Sequence, residues 1–479
     1  MKDKIKRIIN CVVPVTICNF KCHYCYLSQT NSFDLNIPKL EYTVDHMIRA
    51  LTVERLGGIC MMNMCAVGET LIAPYLFDLS VGLIKNGHYV TIVTNGILTE
   101  KLKPFCNLND SEKDKLFFKF SYHFMELKRL KLLEKFFDNI KMIRDSGISF
   151  SVELTANDES IPYIDELKNI CFENLGAEPH IIESRDNNKQ FEKLTKLPNL
   201  EHMKAWAKIK TPLITFQEKE WGIKRKEFCY AGNWISTLYL QNGNLAPCFG
   251  GGPIFQNVFE NPDDSIHWCE IGNKCPWKHC YAAYVLLTLG AIPELDTPHY
   301  DEVRNRKSKY GEWLKPDVKY FMHSKLIESN SILSEEQKSI INWYQSINLN
   351  QPLSNNEKEK VKESIKNLFL RKNIKNISFI EDGDYSNNFL ELIKDDVKVK
   401  YILSLNYSET KKSFKNIFIH YNKYFLKKFV RHDELPVLNH FDKVPNVDII
   451  VVFDILNYEK IKRVVDKKVA KKMVLVTEI

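Results

Sequence analysis

The chain has 479 residues, of which 44% are hydrophobic, 12% aromatic and 27% charged. These are the statistics of a globular protein long enough for two or three cores, and they exclude collagen, coiled coil and wholesale disorder. Its net charge of +7 is spread thinly, with 34 basic against 33 acidic residues up to Cys280 and 33 against 27 beyond it; a nucleic-acid binder would concentrate its basic footprint on one face.

The predicted elements follow a simple alternation. Apolar or β-branched runs at Ile8 to Ile17, Ile59 to Cys65, Tyr89 to Thr94, Leu116 to His123, Ile148 to Thr155 and His180 to Glu183 are separated mostly by helical patterns. Six βα units of about 30 residues predict an α/β fold, a parallel sheet curled into a partial (β/α)6 TIM-type barrel over residues 1–215. Active sites on such sheets lie at the C-terminal ends of the strands. The region 216–290 is rich in cysteine, with a hairpin signal at Gln241-Asn242-Gly243 that can bring Cys229 and Cys248 together. From Tyr281 to about Leu349 the pattern is helical, so 291–352 is taken as a helical connector, with the Pro352 segment as linker. Ser354 reads as a helix start. Runs at Ile374 to Ile380, Val397 to Ser404, Ile417 to Ile419, Val447 to Phe453 and Met473 to Val476 predict a small doubly wound, Rossmann-like α/β domain over 353–479. Its first turn, Glu381-Asp382-Gly383, sets carboxylates where a phosphate would have to sit, so the dinucleotide fingerprint is absent.

The longest apolar run, Tyr281 to Pro293, is broken by Thr288 and Gly290 and falls short of the roughly 18 residues of a membrane span. The charged N-terminus leads into Pro14 and cysteines, not into a signal peptide. A cytoplasmic protein without a membrane span or a nucleic-acid partner is expected.

All thirteen cysteines lie between Cys11 and Cys280. In a reducing compartment, clustered thiols point to metal ligands or reactive groups before disulfides. Cys18-Asn-Phe-Lys-Cys22-His-Tyr-Cys25 follows the first strand, so one short loop carries three thiols. Three ligands leave one position open for a substrate or for a fourth ligand. A zinc loop completed by His23 or by a distant residue, or a redox pair of Cys22 and Cys25, are the plainer readings.

With Tyr24 before the last thiol, this loop resembles the signature of the radical S-adenosylmethionine (radical SAM) superfamily. The resemblance implies that Cys18, Cys22 and Cys25 hold a 4Fe-4S cluster whose fourth iron is chelated by S-adenosyl-L-methionine (SAM). It further implies that Gly68, Glu69 and Thr70 after the second strand, like the family's Gly-Gly-Glu segment, bind the cosubstrate's methionine. Val67 stands where the family has its first glycine. Tyr24, Asn95 and Ser121 join the expected cofactor-binding residues, and Cys65, His123, Glu153 and Arg185 are the catalytic candidates at strand ends.

Cys229, Gly243 and Cys248, followed by Cys269, Cys275 and Cys280, resemble the superfamily's SPASM/Twitch extension. This implies one auxiliary 4Fe-4S cluster on Cys229, Cys248, Cys275 and Cys280, with Cys269 as competitor; zinc on the same thiols, in a two-site zinc scaffold, is the non-enzymatic reading. The other cysteines, Cys11, Cys60, Cys106 and Cys171, read as small core residues. Arg304 and Arg306 are candidates for an anionic substrate group or for surface salt bridges.

The reaction implied by the resemblance is reductive cleavage of SAM and hydrogen abstraction from a substrate C–H bond, leading to oxidation or epimerisation. An external donor such as flavodoxin or ferredoxin supplies the electron. Because the cysteine loop begins at residue 18, with no room before it for a peptide-recognition domain, the expected substrate is a carbohydrate or cell-surface precursor. Modification of a ribosomal peptide or protein is the alternative.

Overall fold

The computed structural model describes residues 2–189, 192–380, 383–393, 398–408, 413–420, 447–455, 458–464 and 470–479. Contacts divide it into two units, the first formed by Met1–Ile266 and Trp277–Ser331, the second by His267–Pro276 and Ile332–Ile479.

The first unit is built on a nine-stranded sheet. Six strands, β1 (Arg7–Val13), β2 (Cys60–Ala66), β3 (Tyr89–Thr94), β4 (Leu116–Ser121), β5 (Ser149–Ala156) and β6 (His180–Glu183), pair in sequence order and all in parallel. A two-residue ribbon of β7 (Arg185–Asp186) and β8 (Glu192–Lys193) follows β6. At the other edge, β9 (Ile235–Tyr239) runs parallel to β1 and continues into antiparallel β10 (Asn244–Ala246) and β11 (Gln256–Asn257). The β9–β10 turn is the predicted hairpin, with Gly243 at φ +81°, a left-handed position suited to glycine.

β1 is shorter than its apolar run, because Pro14 has no N–H for the ladder and Val15 N turns back to Val13 O at 2.8 Å. β4 stops at Ser121, where His123 N donates to Ser121 O at 3.0 Å and closes a tight turn. Both truncations shorten a strand only at its C-terminal end, which frees those residues for loops at the predicted site.

Along β1, β2 and β4 every second residue near the C-terminal end is only half-buried: Asn10 and Val12, Asn63 and Cys65, Lys119 and Ser121. Their neighbours are buried, and Phe120 packs on Phe136 of the helix Leu133–Asp145. Phe118, Phe120, Tyr122, Phe136 and Phe137 form an aromatic layer with ring centroids 5.2–6.2 Å apart. Each such ring contributes about 1.5–3 kcal/mol by burial. The base of β5 is anchored by Trp313 O, which accepts from Phe150 N at 3.0 Å, just after the ribbon of β12 (Lys307–Ser308) and β13 (Gly311–Glu312).

The second unit holds a five-stranded sheet ordered β16-β15-β14-β17-β18, with β14 (Asn376–Ile380) central, β15 (Lys398–Ser408) and β17 (Ile449–Val452) beside it, and β16 (Ser413–His420) and β18 (Met473–Leu475) at the edges. All pairs are parallel except β15 with β16. Strands added on both sides of β14 give the doubly wound order that was expected. Ser354 caps the helix Asn355–Arg371, accepting from Glu357 N while Glu357 returns a bond to Ser354 N. The proposed linker near Pro352 therefore joins two helices inside this unit, and residues 267–276 belong to it instead of to the 216–290 segment. Glu381 and Asp382 lie outside the described residues; Gly383 opens the helix Gly383–Ile393. Among the described residues no helix is long and apolar enough to cross a membrane.

Candidate active site

Loops from the C-terminal ends of β1, β2 and β3 are stitched together by backbone bonds. Gly68 N donates to Val15 O at 2.6 Å and Glu69 N to Ile17 O at 2.9 Å, so the Gly68-Glu69 turn lies directly on the segment leading into the cysteine loop. A Cβ at Gly68 would stand 2.1 Å from Ile17 O. Glycine is thus required at residue 68, and the family departure at Val67 falls beside the point of contact, not on it.

The Glu69 side chain is buried, 2% exposed. Its Oε1 accepts from Thr94 Oγ1 at 2.7 Å and Leu71 N at 3.0 Å, and its Oε2 from Asn95 N at 2.7 Å. Thr70 Oγ1 accepts from Ala66 N at 3.0 Å. Burial pushes the Glu69 carboxyl up, with these bonds opposing it. A carboxylate offers about four acceptor positions, so Glu69 holds the β2 and β3 exits together with one position left. Asn95 in turn donates from Nδ2 to Asn19 Oδ1 at 2.5 Å, with Cys18 Sγ 3.9 Å away.

In the cysteine loop, Phe20 N points at Cys18 Sγ at 3.4 Å, Cys25 N donates to Cys22 O at 3.0 Å, and Cys25 caps the short helix Tyr26–Thr30. Burial is the largest cause of raised pKa at all three thiols, taking Cys18 up to about 11 and pushing Cys22 and Cys25 up as well, and Cys25 adds to the rise at Cys18 and Cys22. Without a metal they hold their protons at neutral pH, so metal binding releases protons. Among the described residues no three His, Cys, Asp or Glu side chains meet as a ready single-ion site. His23, the proposed fourth zinc ligand, is half-exposed and pairs with Glu159 at 2.9 Å. Three thiols on one loop, with a backbone N–H directed at Cys18 sulfur, fit a thiolate-held cluster.

Tyr24 Oη lies 2.7 Å from His123 Nδ1, joining the loop to the exit of β4. Burial lowers His123 to about 4, so it is neutral at physiological pH. Ser121 is half-buried at the end of β4, in register with Glu153. Cys65 faces the same interior, its Sγ 3.6 Å from Ala66 O, and burial raises its pKa, which keeps it a thiol. Glu153 is buried against Lys119, 3.5 Å away, and Arg304, whose Nη1 donates to Glu153 Oε1. Arg304 is wholly buried, which settles its position in the interior and not on a helix surface. Arg306 instead donates to the backbone oxygens of Lys210 and Pro179.

Arg185 stands over the Tyr281 ring at 4.9 Å. Two residues that motif reading passed over, Gln29 and Asn19, do much of the positioning. Gln29 Nε2 donates to Tyr24 O and Arg185 O, both at 2.9 Å, and Gln29 Oε1 accepts from Asn187 N at 3.0 Å. One amide thus ties the cysteine loop to the exit of β6. The only sequence signal was position, four residues beyond the last thiol.

In the second cysteine set, Cys229, Cys248 and Cys280 belong to the first unit, and Cys269 and Cys275 to the second. Cys248 is buried, and Gly250 N donates to its sulfur at 3.1 Å. Its loop packs on Trp277 and Tyr281, where a Cβ at Gly250 would lie 2.4 Å from Trp277 Nε1. Cys248 and Cys280 both act on the Tyr281 phenol. Cys269 is buried in the second unit, where Gln345 Nε2 donates to its sulfur at 3.3 Å.

No family model matches the chain, and no curated protein does. Solved structures do. SuiB of Streptococcus suis, bound to S-adenosylmethionine, is 16% identical over 54% of this chain and 64% of its own, with a TM-score of 0.37; it has also been solved with its precursor peptide SuiA, at a TM-score of 0.34. The chain therefore spans just under two thirds of SuiB. The structure of anSMEcpe with bound AdoMet is 13% identical over 53% of this chain and 79% of its own, with a TM-score of 0.40, and anSMEcpe has been solved with the Cp18Cys peptide. At these scores the likenesses leave function to be argued from the chain's own residues.

Proposed function

We propose that the chain is a radical SAM enzyme. The observation that carries this is the stitched rim of the parallel sheet: a three-thiol loop after β1, laid against Gly68-Glu69 after β2 and pinned by Asn95 after β3. Cys18, Cys22 and Cys25 are the residues that would hold a 4Fe-4S cluster, and Gly68, Glu69, Thr70, Asn95, Ser121 and Tyr24 surround the place where SAM would lie. When bound and reduced, the cluster supplies the electron that splits SAM and yields the radical that removes a substrate hydrogen atom.

The chain's own residues position and enclose. Gly68 permits the close approach of the two loops, and Glu69 offers its remaining acceptor position to an ammonium group. The Tyr24–His123 contact, with His123 neutral, holds the loop against the barrel wall without adding charge. Cys65, Lys119, Glu153 and Arg185 form the interior that a substrate would meet, shielded from water. Cys248 and Cys280 beside Tyr281 are the part of the auxiliary cluster set that the first unit presents next to Arg185.

On substrate, a peptide or protein is placed ahead of the carbohydrate. The preference for carbohydrate drew on where the chain begins, which says nothing of what precedes it. The peptides SuiA and Cp18Cys belong to the other proteins; they choose which arm of the experiment is run first. Anaerobic, reduced protein is incubated with SAM and, separately, with peptide and small-molecule fractions of a cell extract. The proposal expects 5'-deoxyadenosine formation to rise with the peptide fraction. A rise with the small-molecule fraction alone would reverse the substrate order, and no formation in fully iron-loaded protein would remove the radical assignment.

A further inference from the structure

The barrel interior carries an excess of buried positive charge. Lys119 on β4 and Glu153 on β5 lie on neighbouring strands, with Lys119 Nζ 3.5 Å from Glu153 Oε2. Arg304, from the helix Tyr300–Arg304, donates through Nη1 to Glu153 Oε1, which also accepts from Ser151 Oγ at 3.3 Å. The side chains are 14% exposed for Lys119, 5% for Glu153 and 0% for Arg304. Two cations therefore share one carboxylate. The other groups that act directly on Lys119 and Arg304 are the phenols of Tyr284 and Tyr300, and Glu153 is the one carboxylate among them.

Hydrogen bonding is also incomplete. A guanidinium has five N–H donors; the Tyr300 phenol acts on the Arg304 guanidinium as a side-chain partner, and Arg304 Nε and Nη2 make no hydrogen bond of normal geometry among the described residues. The group is held between the Tyr284 and Tyr300 rings, 5.2 and 5.0 Å away, so it has one fixed orientation. A buried cation without a counter-charge, and buried donors without acceptors, are both costly. One planar anion of charge −1 removes both costs, since a carboxylate matches the guanidinium fork with two oxygens.

We propose that Lys119 and Arg304, arranged across Glu153, form a binding site for a carboxylate of the substrate, such as an acidic side chain or the C-terminus of a peptide. The substrate role rests on the radical SAM reading; the carboxylate site does not, because binding needs neither cluster nor electron.

The test is calorimetric titration of the full-length chain, as isolated, with N-acetyl-L-glutamate, with its neutral isostere N-acetyl-L-glutamine, and with N-acetyl-L-glutamate in the presence of saturating SAM. The expected result is one site that prefers the glutamate at least tenfold and keeps that preference with SAM bound. Lys119→Met should lose the preference while its Tm stays at or above that of the parent, since one cation still balances Glu153. Arg304→Lys, which keeps the charge but not the fork, should weaken binding severalfold. Equal binding of the two probes, or none, overturns the proposal, as does competition by SAM, which would make this the cosubstrate's carboxylate site. A Lys119→Met variant with a lower Tm and unchanged glutamate binding would show a structural ion pair and nothing more.

Discussion

Substituting Gly68 by alanine tests the stitched rim at its tightest point. The backbone at Gly68 does not have positive φ, so alanine meets no conformational penalty there. The cost is contact alone: the new Cβ would sit 2.1 Å from Ile17 O, where real Cβ atoms stay beyond 3.0 Å, and the two loops must part by about 0.9 Å. That separation stretches the bonds from Gly68 N to Val15 O and from Glu69 N to Ile17 O, each worth about 0.5–1.5 kcal/mol, and it disturbs a buried carboxylate whose bonds are worth about 1.5–3 kcal/mol each. A local loss of about 2–4 kcal/mol follows. Misplacing reacting groups by about 1 Å costs on the order of 100-fold in rate. Gly68→Ala should therefore retain iron, because its thiols are untouched, yet form 5'-deoxyadenosine about 100-fold more slowly and bind SAM more weakly. Val67→Ala, beside the contact, should behave like the parent. Parent-like Tm, SAM affinity and turnover in Gly68→Ala would show that the two loops are not held as described.

Gln29→Ala removes three hydrogen bonds that join the cysteine loop to the β6 exit, and the expected outcome is full iron content with a lower ratio of product to 5'-deoxyadenosine. Gln29→Glu should do no better, since its carboxylate would face the carbonyl oxygens of Tyr24 and Arg185; parent-like coupling in either variant would contradict the positioning role. Cys248→Ala, which removes the sulfur that Gly250 N bonds, should lower iron from about eight to about four per chain while the first cluster's electron paramagnetic resonance signal persists; unchanged iron would take Cys248 out of the ligand set. Burial and the neighbouring Glu183 push the Glu218 carboxyl up to about 7 from 4.5, with Lys193 opposing. The folded state thus holds a proton that the unfolded chain releases, so this contribution to stability is complete below about 4.5 and is lost as pH rises through about 7. Glu183, held low by His202, works in the opposite sense and loses its contribution as pH falls. Glu218→Gln should flatten the fall in Tm between pH 5 and 7.5 by about 1–3 °C, and an unchanged slope would mean the proton sits elsewhere.

The parallel strands were legible because strands buried on both faces read as continuous apolar runs, and β3 and β6 match theirs residue for residue. Strand ends were less so: Pro14 and the turn at His123 cut β1 and β4 short through backbone hydrogen bonding that hydrophobicity does not record. Gly68 and Glu69 could be named from their resemblance to the family's Gly-Gly-Glu segment, and Asn95 from its place at the end of β3. What the sequence left open was their contacts within the chain, since the Glu69 partners Thr94 and Asn95 are 25 and 26 residues away. Gln29, Asn19 and Lys119 carry no motif, and their importance is a matter of three-dimensional proximity. Arg304 read as a candidate for an anionic substrate group or for a salt bridge on a helix surface, and only the barrel shows that it lies inside, against a carboxylate 151 residues earlier.

The most direct test of the radical SAM assignment is quantification of 5'-deoxyadenosine from SAM by anaerobically reconstituted, reduced protein, compared with Cys18→Ala, Cys22→Ala and Cys25→Ala under the same conditions. The assignment predicts formation by the parent that is abolished by each substitution. Formation that survives all three, or none from parent protein with its full iron content, would contradict it.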